Sequence, residues 1–195
     1  MVPVPDAGSS VDAAIPYDAG DYDPVLGVPF EGPVSFDPAR VQRIDPSGLR
    51  QGASPCRAPV LGRVYRIIDG DTVRFTASDG SLDQTVRMIG IDTPEIAHDG
   101  MAAECFGPEA STFSENLLDQ TVWLTFDNGC FDTFDRLLAY VHIGPGAGDL
   151  WQRQLLQRGF ARAFTFGSNR TFSSTFNNDE SAAQRANAGM WDACF

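Results

Sequence analysis

Apolar and polar residues alternate between residues 64 and 91, which is the pattern typical of strands with one buried face. The turn sequence Ser78-Asp79-Gly80-Ser81 interrupts this alternation, so the segments on either side of it form a hairpin. We therefore predict three strands, at residues 64–68, 72–77 and 84–91.

Helical and strand-like segments follow one another in the rest of the chain. The expected elements are a helix from Gly107 to Leu118, strands at 121–126 and 134–143, a helix at 150–159, an extended segment at 160–166 and a final helix within 173–188. Five strands with a helix between the third and the fourth is the order found in small barrels that bind oligonucleotides or oligosaccharides. We predict an α+β fold: a five-stranded closed OB-fold-like β-barrel with three α-helices.

The first 55 residues differ in composition from the rest of the chain. They are rich in Pro, Asp, Gly, Ala and Ser, and have few large apolar side chains to bury. We expect residues 1–55 to be a low-complexity N-terminal extension, largely disordered or loosely docked, and residues 56–195 to form one domain. The apolar residues of the extension that can dock on the barrel are Phe36, Val41, Ile44 and Leu49.

The chain is strongly acidic, with 26 acidic and 14 basic residues and a formal net charge of −12. All of the basic residues are arginines. Such a field repels polyanions at long range. Two interpretations stay open: an acidic surface suited to salty surroundings, where ions screen the repulsion, or a protein that no longer binds nucleic acid.

The predicted strands bring several carboxylates together. Asp69 and Asp71 follow the first strand and Asp92 and Glu95 follow the third, so the hairpin places them at one end. Carboxylates crowded in this way need a cation or fixed arginines to offset their repulsion. Oxygen ligands without His or Cys indicate a hard ion, Ca²⁺ or Mg²⁺.

Six segments carry a family resemblance, and they occur in order along two thirds of the chain. They are IDGDTV (68–73), VRMIGIDTPE (86–95), FGPEAS (106–111), DRLLAY (135–140), RGFARAF (158–164) and Trp191. In these segments and their spacing the chain resembles the staphylococcal nuclease (thermonuclease) family. The resemblance implies a nuclease that hydrolyses phosphodiester bonds of both DNA and RNA, acts as an endonuclease and leaves 3′-phosphate ends.

The resemblance also implies a role for each residue of the acidic cluster. Asp71, Asp92 and the Thr93 carbonyl correspond to the ligands of one divalent cation, Ca²⁺ in the family, with Mg²⁺ or Mn²⁺ as alternatives. Asp69 corresponds to a carboxylate that shapes the metal site without binding the ion. Glu95 corresponds to the residue that positions or deprotonates the attacking water.

Two arginines correspond to the family's phosphate clamp: Arg87 on the third strand and Arg136 before the fifth. Guanidinium groups at these positions would stabilise the negative charge of a phosphorane-like transition state.

The chain departs from the family at the residues that hold the substrate. Thr133 and Phe134 replace a Lys-Tyr pair, and Phe164 and Phe166 replace two tyrosines that stack on a base. Phenylalanine keeps the stacking face but has no hydroxyl to bond phosphate. We expect substrate contacts at Phe134, Phe164 and Phe166, and endonuclease cutting in preference to processing from an end.

Four cysteines allow three disulfide pairings. Cys56 precedes the first strand and Cys194 follows the last helix, so we predict that these two pair and tie the ends of the domain together. Cys105 then pairs with Cys130. Four buried thiols are the alternative, and they would suit a cytosolic protein.

The printed sequence has neither an apolar run long enough to cross a membrane nor the basic and apolar regions of a secretory signal. We expect that a signal has been removed and that the protein is secreted, or held at the cell surface or in the periplasm, as a monomer. The alternatives are a noncatalytic OB-type module that binds nucleic acid or protein, and a Ca²⁺-stabilised structural domain.

Overall fold

A computed structural model describes residues 34–98, 100–165 and 167–195. The strands of this part are β1 (Val60–Ile67), β2 (Thr72–Ala77), β3 (Asp83–Met88), β4 (Ile91–Asp92), β5 (Thr121–Thr125), β6 (Leu137–His142) and β7 (Arg162–Ala163). The helices are α1 (Pro38–Gln42), α2 (Gly107–Ser114), α3 (Trp151–Gln157), α4 (Ser173–Arg185) and α5 (Met190–Ala193).

Five of the strands close into a barrel in the order β1-β2-β3-β6-β5. Every pairing in it is antiparallel except that of β3 with β6, which is parallel and sets Arg87 opposite Leu138. The predicted closed barrel of five strands is therefore confirmed. The short strands β4 and β7 form a separate two-stranded sheet at its edge.

Alternation along the strands fills the barrel with apolar side chains. Phe75, Val86 and Leu124 are fully buried inside it, and removal of apolar surface from water on this scale is the main force holding the fold together. Trp151 and Phe176 extend the same core cluster towards α3 and α4.

The three predicted helices are present as α2, α3 and α4. Two short helices were not expected: α1, and α5, which carries Trp191 beyond the end of α4. Each has five residues or fewer, too few for a helical period to show in the sequence. Among the described residues, no helix is long and apolar enough to cross a lipid bilayer.

The described part of the N-terminal extension docks on the barrel. Val41 is buried, its carbonyl accepts a hydrogen bond from Trp123 Nε1 at 3.0 Å, and Leu49 is buried as well. Phe36 packs against Trp151, with ring centroids 5.9 Å apart, and Ile44 is partly buried. The prediction for residues 1–33 lies outside the described residues, and the boundary at residue 55 stays a prediction.

Both disulfides join cysteines other than those we predicted to pair. Cys56 bonds to Cys130, with Cα atoms 5.6 Å apart, and Cys105 bonds to Cys194, with Cα atoms 6.0 Å apart. The predicted pairing, Cys56 with Cys194 and Cys105 with Cys130, was wrong. The residues before β1 run beside the end of β5: the Cys56 N–H donates to the Asp127 carbonyl at 2.8 Å, which brings Cys56 to the turn that holds Cys130.

His142 lies on β6 and is a buried structural residue. Its Nε2 is 2.8 Å from Thr125 Oγ1, and burial lowers the pKa of the imidazole to about 3.

We predict that the two disulfides can be identified by peptide mapping without reduction. The expected cross-linked peptides contain Cys56 with Cys130 and Cys105 with Cys194. The bonds close loops of 74 and 89 residues, each of which should stabilise the fold by about 4 to 5 kcal/mol in the chain-entropy description. Reductant should therefore lower the melting temperature. A peptide joining Cys56 to Cys194 would contradict the fold.

His142 predicts a dependence of stability on pH. The folded state keeps the imidazole neutral down to about pH 3, whereas the unfolded chain takes up a proton below about pH 6.5. The contribution of His142 to the free energy of unfolding is therefore fully present above about pH 6.5. Below that pH it falls by about 1.4 kcal/mol per pH unit. Between pH 7 and pH 5, wild-type protein should lose about 2 kcal/mol more than His142→Gln in urea unfolding. Equal losses would contradict this role.

Candidate active site

The turn between β1 and β2 fixes the first carboxylate. The Asp71 N–H donates to Asp69 Oδ1 at 3.0 Å, and the Ser114 hydroxyl on α2 donates to the Gly70 carbonyl at 2.6 Å. A side chain at Gly70 would lie 2.7 Å from Thr93 Oγ1, so only glycine fits between the two acidic turns. This packing presents Asp71 to the residues that follow β4.

Asp71 is almost completely buried, with 5% of its surface exposed. Its Oδ2 accepts hydrogen bonds from Thr93 N at 2.9 Å and Thr93 Oγ1 at 3.1 Å, and its Oδ1 accepts one from Thr72 Oγ1. Burial raises the pKa of this carboxyl to about 7, while the charge of Arg87 acts in the opposite direction. The carboxylate is thus fixed in place but poorly solvated, as expected of a group that binds a cation.

Arg87 lies at the centre of the cluster. Its Nη2 is 3.0 Å from Asp71 Oδ2 and 2.7 Å from Asp92 Oδ1. Its Nη1 donates to the carbonyls of Met88 and Ile91 at 2.8 and 2.9 Å. One guanidinium therefore joins the two acidic turns and holds β4 against the barrel.

These contacts test whether the residues fit the cation that the family implies. Carboxylate oxygens of Asp71 and Asp92, from separate segments, converge on one positively charged nitrogen. Both are hard oxygen donors of the kind that Ca²⁺ prefers. Among the described residues, no three His, Cys, Asp or Glu side chains form a metal-holding group. Two carboxylates fit such an ion, and the predicted ligand set of Asp71, Asp92 and the Thr93 carbonyl stays a prediction.

Glu95 lies beside the cluster with its carboxylate exposed to solvent. Its backbone is fixed, because its N–H donates to Glu104 Oε2 at 3.1 Å and its carbonyl accepts from Glu104 N at 2.9 Å. Partial burial raises the pKa of Glu95, the charges of Asp69 and Asp92 raise it further, and His98, 3.9 Å away, opposes them. Glu104 was not predicted from the sequence, because no local pattern marks it as a partner of Glu95.

Arg136 shares a small cavity with Arg87. The cavity has a volume of about 180 Å³, and Phe164 and Asp132 also line it. Asp132 holds Arg136 through its backbone N–H at 2.9 Å and its Nε at 2.6 Å. The two terminal nitrogens of Arg136 make no hydrogen bond to any described residue. Asp132 was not predicted from the sequence, because the two residues lie in a turn where their spacing gives no helical signal.

The predicted substrate residues lie in different surroundings. Phe164 is 48% exposed and lines the cavity of the two arginines. Phe134 is 78% exposed, and its ring lies 5.4 Å from the Arg136 guanidinium carbon. Phe166 lies outside the described residues.

A small closed barrel that carries two arginines and two carboxylates at one edge is typical of proteins that bind or act on phosphate esters. The family model described as "Staphylococcal nuclease homologue" matches residues 85–193. The chain belongs to the staphylococcal nuclease family. This membership supports nuclease activity on nucleic acids.

Several relatives in this family carry names that state an activity. The chain is 34% identical over 130 residues to a thermonuclease of Staphylococcus hyicus and 33% identical over 130 residues to one of Staphylococcus intermedius; each match covers 66% of this chain and 74% of the relative. It is 35% identical over 129 residues to the SPbeta prophage-derived endonuclease YokF of Bacillus subtilis, a match that covers 65% of this chain and 42% of that protein.

Proposed function

We propose that the chain is a secreted, divalent-metal-dependent endonuclease that hydrolyses DNA and RNA and leaves 3′-phosphate ends. The observation that carries the proposal is the placement of Arg87 Nη2 between Asp71 and Asp92, 3.0 and 2.7 Å from their oxygens. Hydrolysis of a phosphodiester needs positive charge beside the phosphate oxygens, and Arg87 supplies it next to the two carboxylates that would hold the metal. Family membership and the names of the relatives support the same reaction.

Asp71, Asp92 and the Thr93 carbonyl would hold the cation, Ca²⁺ by family resemblance or Mg²⁺ or Mn²⁺ in its place. When bound, the ion supplies Lewis-acid stabilisation of the charge on the phosphate oxygens. Asp69 keeps Asp71 in position through the hydrogen bond from the Asp71 N–H, 3.0 Å long.

Glu95 holds the attacking water and takes its proton. Its carboxylate is open to solvent, so a water molecule reaches it directly, while the paired backbone hydrogen bonds with Glu104 keep the residue in place. Fixed placement of the water beside the reacting phosphorus replaces a costly bimolecular encounter.

The two arginines bind the phosphate from one cavity. The terminal nitrogens of Arg136 offer donors directly, and Arg87 offers Nη2 as a phosphate oxygen replaces Asp92. Fork-shaped donors of this kind stabilise the charge that grows on the phosphate in the transition state. Their contacts are with phosphate, which is common to DNA and RNA, and this supports action on both.

Export is supported by the cysteines. Both disulfides, Cys56–Cys130 and Cys105–Cys194, are of the kind that persists in oxidising compartments. The protein would therefore act outside the cell, at its surface or in the periplasm.

Two substitutions should remove cleavage without unfolding the protein. Glu95→Gln removes the proton acceptor, and Arg136→Ala removes a guanidinium that donates hydrogen bonds to the phosphate. Each should lower kcat/KM by about 100-fold or more. Arg63→Gln is the matched control. Arg63 is an exposed residue of β1 that donates a hydrogen bond to Asp119 and lines neither the arginine cavity nor the acidic cluster. Unchanged melting temperatures would establish that the fold is intact. Normal cleavage by either variant would remove the mechanism.

Dependence on metal is tested by digestion of plasmid DNA and total RNA. EDTA should stop cleavage of both, and Ca²⁺, Mg²⁺ or Mn²⁺, added back separately at low and high NaCl, should identify the ion. Calcium binding measured by calorimetry should be lost in Asp71→Asn. If no ion restores digestion while the same nucleic acids are retarded in a gel, the chain is a binding module and not a nuclease.

A further inference from the structure

A second and larger cavity adjoins the cluster on its other side. Its volume is about 480 Å³, and its lining includes Asp92, Glu104, Arg162 and Phe195. This volume falls within the range of ligand pockets, roughly 300–1,000 Å³. Asp92 and Thr93, the proposed cation ligands, also line this cavity, but the roles proposed above leave Arg162 and Phe195 without a function.

The two cavities meet at the proposed phosphate site. Asp92 lines the larger cavity and Arg87 the smaller one, and the two side chains are in contact at 2.7 Å. The sheet of β4 and β7 connects them: Arg162 pairs with Asp92 in its register, and Phe164 N donates to the Gly90 carbonyl at 3.0 Å. A phosphate held at Arg87 therefore lies next to both cavities.

One wall of the larger cavity combines aromatic rings with a positive charge. Phe195 is 76% exposed and stacks on Trp191, with centroids 5.3 Å apart and planes at 25°. The Arg162 guanidinium lies 5.3 Å from the Phe195 ring centroid and 5.6 Å from that of Trp191. Among the described residues, no carboxylate forms an ion pair with Arg162. An exposed aromatic ring beside an arginine is typical of surfaces on which nucleobases stack.

The wall is held against the cluster by a covalent bond. Cys194, next to Phe195, is joined to Cys105, and Cys105 follows Glu104, whose backbone and carboxylate pair with Glu95. The segment with the exposed ring is thus tied to the residue that holds the water. A platform fixed in this way loses little conformational entropy when a ligand binds.

The carboxylate of Glu104 indicates which part of a nucleotide enters. Glu104 lines the cavity, so a second phosphate close to it would be repelled. A neutral base avoids this repulsion and can donate amino hydrogens to a carboxylate. We propose that the larger cavity is a nucleotide subsite, in which a base of single-stranded DNA or RNA stacks on Phe195, on the opposite side of the cleaved phosphate from the base at Phe164. The subsite rests on the proposed nuclease function.

The test uses hexanucleotides with one cleavable phosphodiester at the centre and methylphosphonates elsewhere. Three versions are compared: all bases present, and an abasic residue on the 5′ or on the 3′ side of the central bond. Each is cleaved by the wild-type chain and by Phe195→Ala, Phe195→Tyr, Phe164→Ala and Arg63→Gln. The melting temperature of each variant establishes that it is folded.

Phe195→Ala should lower kcat/KM on the complete substrate by about 5-fold or more, as loss of one base–aromatic stack predicts. The loss should vanish when the base on one particular side is missing, and Phe164→Ala should show the same dependence on the other side. Arg63→Gln should match the wild type, and Phe195→Tyr, which keeps the aromatic ring, should restore most of the activity that Phe195→Ala loses. A Phe195→Ala loss that is absent, or equal on all three substrates, would overturn the subsite.

Failure of the nuclease function is a separate result. If the wild-type chain leaves the complete substrate intact under every ion, the proposed function is wrong, and the same comparison is then made on Kd by fluorescence anisotropy. A base-dependent loss of affinity in Phe195→Ala would still support the subsite, whereas equal Kd values would overturn it.

Discussion

The site depends on one ionic contact, the bridge that Arg87 forms between Asp71 and Asp92. Asp71 is buried, and a buried charge without a partner costs several kcal/mol. The guanidinium offsets this cost, and its other nitrogen binds the Met88 and Ile91 carbonyls, so the same residue fixes the course of the chain after β3. Arg87 therefore both neutralises the two carboxylates and fixes the backbone after β3, and loss of this arginine would disturb both.

The register of the barrel makes this bridge possible. Arg87 pairs with Thr72 across β2 and β3, directly beside Asp71, and with Leu138 across β3 and β6. The parallel pairing brings the segment that carries Arg136 to the same edge. A slip of one residue in β3 would turn Arg87 into the barrel and Val86 out of it. The apolar core, which fixes the register, thereby also fixes the geometry of the charged residues.

Much of the barrel and of the acidic cluster could be predicted because period-two alternation and turn residues are local signals. The disulfide pairing could not, since it depends on the path of residues 52–56 beside Asp127, which no local pattern records. The support of Glu95 by Glu104 and the placement of Phe195 beside this segment were also missed: the first depends on the course of the loop before α2, and the second on the disulfide between Cys105 and Cys194. Contacts that follow from strand alternation and turns were predicted, and contacts that depend on the path of irregular segments were not.

The acidity of the chain is compatible with a polyanionic substrate because the charges are unevenly distributed. Three arginines away from the cavities are paired with carboxylates: Arg63 with Asp119, Arg74 with Asp83, and Arg153 with Asp179. Arg162 has no such partner in the described part of the chain, and Arg136 keeps its terminal nitrogens open towards the smaller cavity. Salt screens the net charge of −12 beyond about 8 Å but leaves these short contacts in place. Repulsion should therefore slow the approach of nucleic acid more than it weakens the bound state, since rim charges act mainly on association.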